Sequence, residues 1–468
     1  MPISRARTIA FDVLARVAKQ DAYADEVLRA ELAESVRTED AGLATELTLG
    51  VLRWQRLLDF AIDRSLTKVS KALDIEVRIA LRMGAYQLLF LDRIPARAAV
   101  HESVELVKRS RKRSASALVN AVLRNVAKQP LPGNSPPEAV AQLVTTDDAL
   151  ADRLGIQYSH PTWMVERWFR IYGEEKTRSL LQANNRVPTL SGYLLDPQRR
   201  EGATVSLQQV GCGVQQGQLL REAWLLEAGN PGASEAVRYG WVSIQDEASQ
   251  AVARLLAPDP GNTVLDLCAA PGGKTLLLSR AAGAQGCIVA ADLHENRVRA
   301  MHERLELAGV RNVRTIVLNG EQPLPSERPF DRLFDRILVD VPCSGTGTLA
   351  RHPEIRWKLR AEDLRDLHDR QARLLRNALP HLAPSGRLVY STCSLEPEEN
   401  ELVVRQVLGD LGDTFQIADP RSAIEGFLRE SVRIPSLVAE DNFFRTFPAE
   451  HGTDGFFAAV IERRNPNA

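Results

Sequence analysis

Two cysteines and an aspartate follow apolar runs in this sequence. The stretch "ILVDVPCSGTG" places Asp340 and Cys343 at the end of one run, and "GRLVYSTCSLEPEEN" places Cys393 at the end of another. A thiolate is a strong nucleophile, and a second group beside it can move a proton or release a product. The pair therefore indicates covalent catalysis. A zinc site is not indicated, because neither CxxC nor HExxH spacing occurs.

Apolar strand patterns alternate with helical patterns from about residue 245. The strands are "NTVLDLC", "GCIVAADL", "VRTIVLN", "RILVDVPC" and "GRLVYSTCS". Such alternation predicts a doubly wound parallel sheet, in which ligands bind at the carboxyl ends of the strands. Both cysteines, Asp292 and Asp340 fall at those ends. The spacing does not give the distances between them.

A glycine loop lies between the first strand and the first helix of this region. In "VLDLCAAPGGKT", Gly272 and Gly273 allow a ligand to approach the backbone, and the next helix presents its N-terminus. A nucleotide triphosphatase loop would need a glycine where Cys268 stands. The loop therefore favours binding of a nucleoside-type cofactor instead. Asp292, after the second strand, suits a ribose diol, and the alternative is that it caps the following helix.

The patterns divide the chain into four parts. Helical periodicity fills residues 1–130, a proline-rich linker spans 131–149, a small α+β module spans 150–240, and the α/β domain spans 241–465. No apolar run of 18 residues occurs, so we expect no membrane span. Five cysteines in so long a chain favour reduced thiols and a cytoplasmic protein.

The first part of the chain is basic although the whole is nearly neutral. Residues 1–130 hold 22 Lys and Arg against 16 Asp and Glu, while the net charge of the chain is -1. This asymmetry favours a polyanionic partner, or else a solvated helix face. The charge is densest in one cluster, which comprises Lys108, Arg109, Arg111, Lys112 and Arg113.

The motifs "DLCAAPGGKT", "DVPCSGTG", "RHPEIRW" and "YSTCSLEPEEN" together resemble those of RNA cytosine-5 methyltransferases that use S-adenosylmethionine. The helical part resembles the antitermination factor NusB. The combination resembles the ribosomal RNA small-subunit methyltransferase B family over nearly the whole chain. The resemblance implies an all-α RNA-binding domain, a small α+β RNA-recognition module and a Rossmann-like methyltransferase domain.

The resemblance also implies a division of roles. Cys393 would be the nucleophile on C6 of a cytosine in 16S ribosomal RNA, Cys343 would assist product release, and Asp340 would bind the base and contact the cofactor. The spacing alone leaves the two cysteine roles open. The cofactor would be held by Asp292, Asn319 and the loop Cys268, Ala269, Ala270, Pro271, Gly272, Gly273 and Lys274.

One position departs from the family. An aspartate usually follows the third strand, and here Asn319 takes its place unless Glu321 substitutes. Besides the basic cluster, we expect RNA contacts from Asn184, Arg186, Arg351, His352 and Arg356. We expect a monomer without metal. Two alternatives stay open, a transfer-RNA cytosine-5 methyltransferase and a non-catalytic NusB-like RNA-binding protein.

Overall fold

The computed structural model describes residues 3–20, 22–32, 37–66, 73–128, 135–144 and 149–464. Contacts divide the chain into two compact units, and the first comprises Met1–Val187 together with Leu349–Ala361. The second comprises Pro188–Thr348 and Glu362–Ala468. The four-part division drawn from the sequence stays a prediction, and the contacts group the residues differently. Of the predicted linker, residues 131–134 and 145–148 lie outside the described residues.

The first unit is helical throughout its described residues. Its apolar side chains recur at three- and four-residue steps, so each helix has a face to bury against the others. The core includes Ile9, Leu47 and Leu81, which are at most 6% exposed. In chain order its helices are α1 (Arg5–Gln20), α2 (Ala24–Leu32), α3 (Thr38–Arg53), α4 (Gln55–Arg64), α5 (Ile75–Phe90), α6 (Ala96–Arg109), α7 (Ser116–Lys128), α8 (Pro136–Leu143), α9 (Leu150–Gln157) and α10 (Thr162–Ala183).

Helices α8 to α10 show where the contacts depart from the sequence prediction. Helix α8 lies within the stretch predicted as linker. Helices α9 and α10 fall in the predicted α+β module, yet they belong to the helical unit. The proline density around α8 is compatible with a helix, because Pro136 occupies its first turn, where a missing backbone N–H costs nothing.

The second unit begins with a small antiparallel sheet. Its strand order is β2-β3-β1-β4. Alternate side chains of these short strands face a cluster that includes Leu226 and Val242. The elements are β1 (Leu190–Leu194), α11 (Arg200–Gln209), β2 (Gly213–Gln216), β3 (Ala223–Glu227), α12 (Glu235–Arg238) and β4 (Val242–Ile244).

A large sheet flanked by helices completes the second unit. Its order is β10-β12-β9-β8-β5-β6-β7, with β11 paired to β12. The elements of the large sheet and its helices are α13 (Glu247–Leu255), β5 (Thr263–Asp266), α14 (Gly273–Ala282), β6 (Cys287–Asp292), α15 (Glu295–Leu307), β7 (Val313–Val317), β8 (Phe334–Asp340), α17 (Asp363–Ala378), β9 (Leu382–Thr392), α18 (Glu401–Asp410), β10 (Phe415–Ile417), α19 (Arg421–Glu425), β11 (Phe444–Thr446), α20 (Pro448–His451) and β12 (Phe456–Arg463). The short helix α16 (Ile355–Lys358) lies between β8 and α17 in the sequence but belongs to the first unit.

This sheet is mixed rather than wholly parallel. Strands β5 to β9 are parallel, as the alternation predicts, while β12 pairs antiparallel with β9, and β10 and β11 pair antiparallel with β12. Between β10 and β12 the α-helices are α19, of five residues, and α20, of four residues, which are short for a crossover, and β12 returns antiparallel. The parallel strands bring the carboxyl ends of β5, β6, β8 and β9 to one edge.

None of the helices in the described part of the chain combines the length and the apolar character that crossing a bilayer requires.

Candidate active site

The two cysteines predicted to be catalytic lie together in the second unit. Cys343 follows β8 and Cys393 follows β9, and Asp340 pairs with Ser391 in the register of these neighbouring parallel strands. The two Sγ atoms are 3.3 Å apart. A hydrogen bond to Cys393 raises the pKa of Cys343 well above its usual value, and burial raises it further. Cys343 is therefore held as a protonated thiol.

Asp340 lies between a cation and a hydroxyl. Its Oδ2 accepts a hydrogen bond of 2.7 Å from Nζ of Lys274, and its Oδ1 accepts one of 2.7 Å from Oγ of Ser391. Burial acts to lower the pKa of Lys274, but the charge of Asp340 and its hydrogen bond outweigh burial, and the pKa rises. The glycine-loop lysine is therefore a charged partner of the predicted catalytic aspartate.

A buried polar network supports both cysteine loops, and sequence reasoning gave its members no role. The carboxylate of Glu399 accepts hydrogen bonds from Ser344 and Ser394, the residues that follow Cys343 and Cys393. Asn400 accepts from Oγ1 of Thr392 at 2.6 Å and donates to the carbonyl of Ser394 at 2.9 Å. Several acids and amides after a strand-end cysteine, as in "LEPEEN", are the signal that could have pointed to this network.

The glycine loop has a geometry that other residues could not adopt. Gly272 has a φ of 90°, and a Cβ there would come within 2.9 Å of Cγ of Met301. The loop leads into the N-terminus of α14, where backbone N–H groups lack partners within the helix. An anionic or polar ligand is suited to such a terminus.

Acidic groups around the loop fit the predicted cofactor, S-adenosylmethionine. Asp292 is 4% exposed, and its hydrogen bonds from Ala270, His294 and Arg297 are long, at 3.2–3.4 Å. The carboxylate is therefore weakly engaged and can accept from a ribose diol. Asp266, which the sequence analysis passed over, has an Oδ1 that is buried without a partner among the described residues. Burial raises the pKa of Asp266 to about 7.

Asn319 and Glu321 have different surroundings. Glu321 forms ion pairs with Arg370 at 2.9 Å and Arg373 at 2.7 Å. Burial opposes the charge of Glu321, but the two arginines outweigh burial and lower its pKa. Asn319 is exposed and accepts from the backbone N–H of Glu321. Because Glu321 is already paired, Asn319 is the better candidate for the cofactor contact.

The basic cluster in the first unit is partly neutralised. Three of its five cations form ion pairs with acidic partners at 2.7–2.9 Å, namely Lys108 with Glu105, Arg109 with Asp12 and Lys112 with Asp74. Arg111 and Arg113 are exposed, and neither has an ion-pair partner within the described residues. These two arginines are the members that retain charge for a phosphate.

Two residues expected to contact RNA are instead buried structural groups of the first unit. Arg356 is 0% exposed, and its guanidinium donates to the carbonyls of Arg53, Ser159, Asn184 and Leu349 and to Oδ1 of Asn185. Asn184 is also 0% exposed and contacts Nε2 of His160 at 3.2 Å. The expectation was wrong for both side chains, because Arg356 is spent on backbone carbonyls and Asn184 is enclosed beside His160.

The other expected RNA contacts differ in exposure. Arg186 is exposed, whereas Arg351 and His352 are half-buried. His352 lies in a cluster with Asp25 and Glu354, whose ligand-type atoms are within 4.8 Å of one another. Asp25 also pairs with Arg29, and Glu354 accepts from the backbone of Ala24, so these acids already have structural partners.

The remaining cysteines lie apart from this chemistry. All five cysteines are free, and Cys212 is buried. Burial raises the pKa of Cys268 well above its usual value, and the nearby charges of Asp292 and Asp340 add to the effect. A thiol of this kind is unreactive, so the predicted role of Cys268 in the cofactor loop would fall to its backbone or its bulk.

Similar proteins identify the family. Residues 253–462 match the family described as 16S rRNA methyltransferase RsmB/F, and residues 4–128 match the NusB family. The chain is 32% identical to ribosomal RNA small subunit methyltransferase B of Erwinia tasmaniensis, over 98% of both chains.

Solved structures agree on the fold. The crystal structure of PH0851 has a TM-score of 0.78 and 23% identity over 99% of each chain, which shows the fold alone. A methyltransferase homolog protein from Pyrococcus horikoshii has a TM-score of 0.55 and 28% identity, over 68% of this chain and 100% of that one. The conserved fold, the glycine loop and the match over the full length lead to one conclusion. The chain belongs to the ribosomal RNA small subunit methyltransferase B family, whose members use S-adenosylmethionine.

Proposed function

We propose that this protein methylates C5 of a cytosine in 16S ribosomal RNA through a covalent adduct between Cys393 and C6. The observation that carries the proposal is the contact between the Sγ atoms of Cys343 and Cys393 at 3.3 Å, beside the ion pair of Asp340 with Lys274. Two thiols at this distance suit a reaction that needs both a nucleophile and a group for product release.

S-adenosylmethionine supplies an electrophilic methyl group when it is bound. The thiolate of Cys393 forms a bond to C6 of the cytosine, and the electron pair of the C5–C6 double bond makes C5 nucleophilic. Once C5 had taken the methyl group from the sulfonium, S-adenosylhomocysteine would be left as the by-product. The C5 proton would then pass to a base such as water, the bond from the Cys393 sulfur to C6 would break, and the double bond would be restored. Cys343 lies where it can assist this last step.

The contact between the thiols is compatible with the roles that the family resemblance implies, since either sulfur can donate the hydrogen bond. The raised pKa of Cys343 keeps that thiol protonated. A protonated Cys343 cannot compete for C6, but it can exchange a proton during release. Asp340 would bind the N3/N4 edge of the base, and its ion pair with Lys274, which fixes a charge at the strand ends, supports this role.

The NusB-like helices and the family support RNA as the partner. We further propose that the target is in 16S ribosomal RNA, that the protein acts in the cytoplasm as a monomer, and that it needs no metal. Free cysteines throughout the chain fit a reducing compartment. A flipped or unpaired cytosine would reach the site at a cost of about a few kcal/mol for unstacking.

The test is a denaturing gel of wild type, Cys343→Ala and Cys393→Ala, each incubated with unmodified 16S RNA and labelled S-adenosylmethionine. We expect label in 5-methylcytosine with wild type, a slowly migrating protein–RNA band with Cys343→Ala only, and no label with Cys393→Ala, which should still bind cofactor. Cys212→Ala is the matched control and should behave as wild type. A trapped band with Cys393→Ala instead would reverse the roles.

The same assay separates the alternatives. Preferred labelling of transfer RNA over 16S RNA would favour a transfer-RNA methyltransferase. No label in either RNA, from an enzyme that binds RNA, would favour a non-catalytic RNA-binding protein.

A further inference from the structure

The buried carboxylate of Glu399 accepts hydrogen bonds from both of the loops that carry Cys343 and Cys393. Glu399 is 0% exposed. Its Oε1 accepts from the backbone N–H of Ser344 at 2.8 Å and from Nε2 of Gln371 at 2.9 Å. Its Oε2 accepts from the hydroxyls of both Ser344 and Ser394. One side chain therefore binds the residue directly after each cysteine.

The donors around Glu399 match an ionised carboxylate. Each of its four hydrogen bonds comes from an N–H or O–H group, and none of the contacts requires the carboxyl group to donate. Burial raises the pKa of Glu399, while the bonds from Ser344, Ser394 and Gln371 oppose that rise. Titratable groups that face this network include Cys343, Cys393 and Tyr390, and the charged pair of Asp340 and Lys274 lies beside them.

The network is anchored to both strands. The hydroxyl of Tyr390, on β9, donates to the backbone carbonyl of Glu399 at 2.6 Å. Gln371, on α17, also donates to the carbonyl of Pro342 at 3.0 Å, directly before Cys343. The loops are also joined directly, since the N–H of Gly347 donates to the carbonyl of Cys393 at 2.9 Å and the hydroxyls of Ser344 and Ser394 are 3.1 Å apart. Loss of the carboxylate would leave both serine hydroxyls without their charged acceptor directly beside the thiols.

We propose that Glu399 is a positioning residue for the methyl transfer, which holds Cys343 and Cys393 in contact by binding Ser344 and Ser394. The inference rests on the proposed function. Glu399 does not touch the reacting atoms. It acts through the residues next to the thiols, and its negative charge also favours the protonated form of Cys343.

The first variant, Glu399→Ala, removes the link between the loops. A misplacement of about 1 Å can lower a rate by about 100-fold, so we expect kcat for 5-methylcytosine formation to fall by about that factor. The KM values for RNA and S-adenosylmethionine should stay within about threefold, because the binding surfaces are untouched.

The second variant, Glu399→Gln, separates geometry from charge. Its amide oxygen can accept from Ser344 and Gln371, and its NH2 group can donate to hydroxyls that rotate. We expect kcat within about tenfold of wild type, since positioning is retained. The pH profile for alkylation of Cys343, followed by mass spectrometry of its peptide, should move to lower pH because the neighbouring charge is gone.

Glu247→Gln is the matched control. Glu247 is also 0% exposed and accepts from the backbone N–H groups of Gln218, Leu219 and Leu220. The variant Glu247→Gln should have the kcat of wild type and the same pH profile for alkylation of Cys343.

Two results would overturn the inference. One is Glu399→Ala with the kcat of wild type. The other is a combination of two observations. The alkylation profile of Cys343 would be unshifted in Glu399→Gln, and Glu399→Ala would lose kcat, cofactor affinity and melting temperature in parallel. Together these would show that Glu399 has a merely structural role. Failure of the wild type to form 5-methylcytosine would instead contradict the proposed function, so the two failures are distinguishable.

Discussion

Cys343 and Cys393 carry the same functional group, yet their neighbours differ. Cys343 has a raised pKa, caused first by its hydrogen bond with Cys393 and then by burial, with a further contribution from Glu399. Lys274 and Asp340 form a charged pair on the same strand edge. The surroundings, not the thiols themselves, therefore distinguish the two cysteines.

Lys274 offers a direct test of this charged pair. Lys274→Met leaves Asp340 with only the hydroxyl of Ser391 and removes a fixed positive charge from the site. We expect the rate of 5-methylcytosine formation to fall by about 100-fold, the usual order for loss of one preorganised electrostatic contact.

A surface pair supplies the control for that measurement. Arg376 pairs with Asp410, and both side chains are about half exposed, at 38% and 52%. Arg376→Met should leave the methylation rate within about twofold, because exposed ion pairs contribute little. Equal losses in both variants would mean that Lys274 has no special role.

Strands were easier to predict from the sequence than the contacts they make. The alternation of apolar strands and helices gave the parallel strands β5 to β9, and strand ends gave Asp292, Asp340 and both cysteines. The pairing of Lys274 with Asp340 spans 66 residues, and the bond of Ser344 to Glu399 spans 55, so no local pattern reveals either. Periodicity reports burial and element type, not which polar groups meet.

Segment 349–361 shows the same limit. Its motif "RHPEIRW" looks like a basic loop, whereas Arg356 is enclosed by carbonyls from distant parts of the first unit. Burial lowers the pKa of Arg356 to about 9, and the nearby Arg53 adds to the effect. Only the fold supplies the carbonyls that make burial of this charge tolerable.

Arg356→Ala should therefore loosen the segment. Removing the guanidinium leaves five buried acceptors without their donor, and we expect the first unit to lose about 3 kcal/mol or more of its free energy of unfolding. Hydrogen–deuterium exchange of peptides from 349–361 and 150–187 would measure the loss.

Arg360 lies exposed on the same segment and provides the comparison. Arg360→Ala should change the free energy of unfolding by no more than about 0.5 kcal/mol, as is usual for surface substitutions. Unchanged exchange in Arg356→Ala would show that the carbonyls find water or other donors instead.

For the molecule as a whole, the count of basic residues overstates the charge available to RNA. Ion pairs with Asp12, Asp74 and Glu105 use three of the five cations in the basic cluster. A sequence shows the cations, but Asp12 and Asp74 lie far away along the chain. Within the basic cluster, the cations that have no ion-pair partner among the described residues are Arg111 and Arg113.

Salt dependence of RNA binding tests this distribution. Each phosphate contact contributes about 0.7–0.9 to the slope of log K against log salt concentration. We expect the double variant Arg111→Gln/Arg113→Gln to reduce the slope by about 1.5 units.

A double variant with the same change in net charge is the control. Arg311 and Arg328 are exposed in the second unit, so Arg311→Gln/Arg328→Gln should leave the slope nearly unchanged. An equal effect of both double variants would mean that RNA binding depends on net charge alone. An unchanged slope in both would mean that the basic cluster is a solvated surface that does not contact RNA.

Residues 349–361 belong to the helical unit although they follow β8 of the second unit in the sequence. This order has a consequence during synthesis. The ribosome makes the carbonyls of Arg53, Ser159 and Asn184 long before it makes the guanidinium of Arg356 that binds them. These buried carbonyls of the helical unit thus wait for their charged donor until three-quarters of the chain has been translated. By then the ribosome has also synthesised β5 to β8 of the second unit.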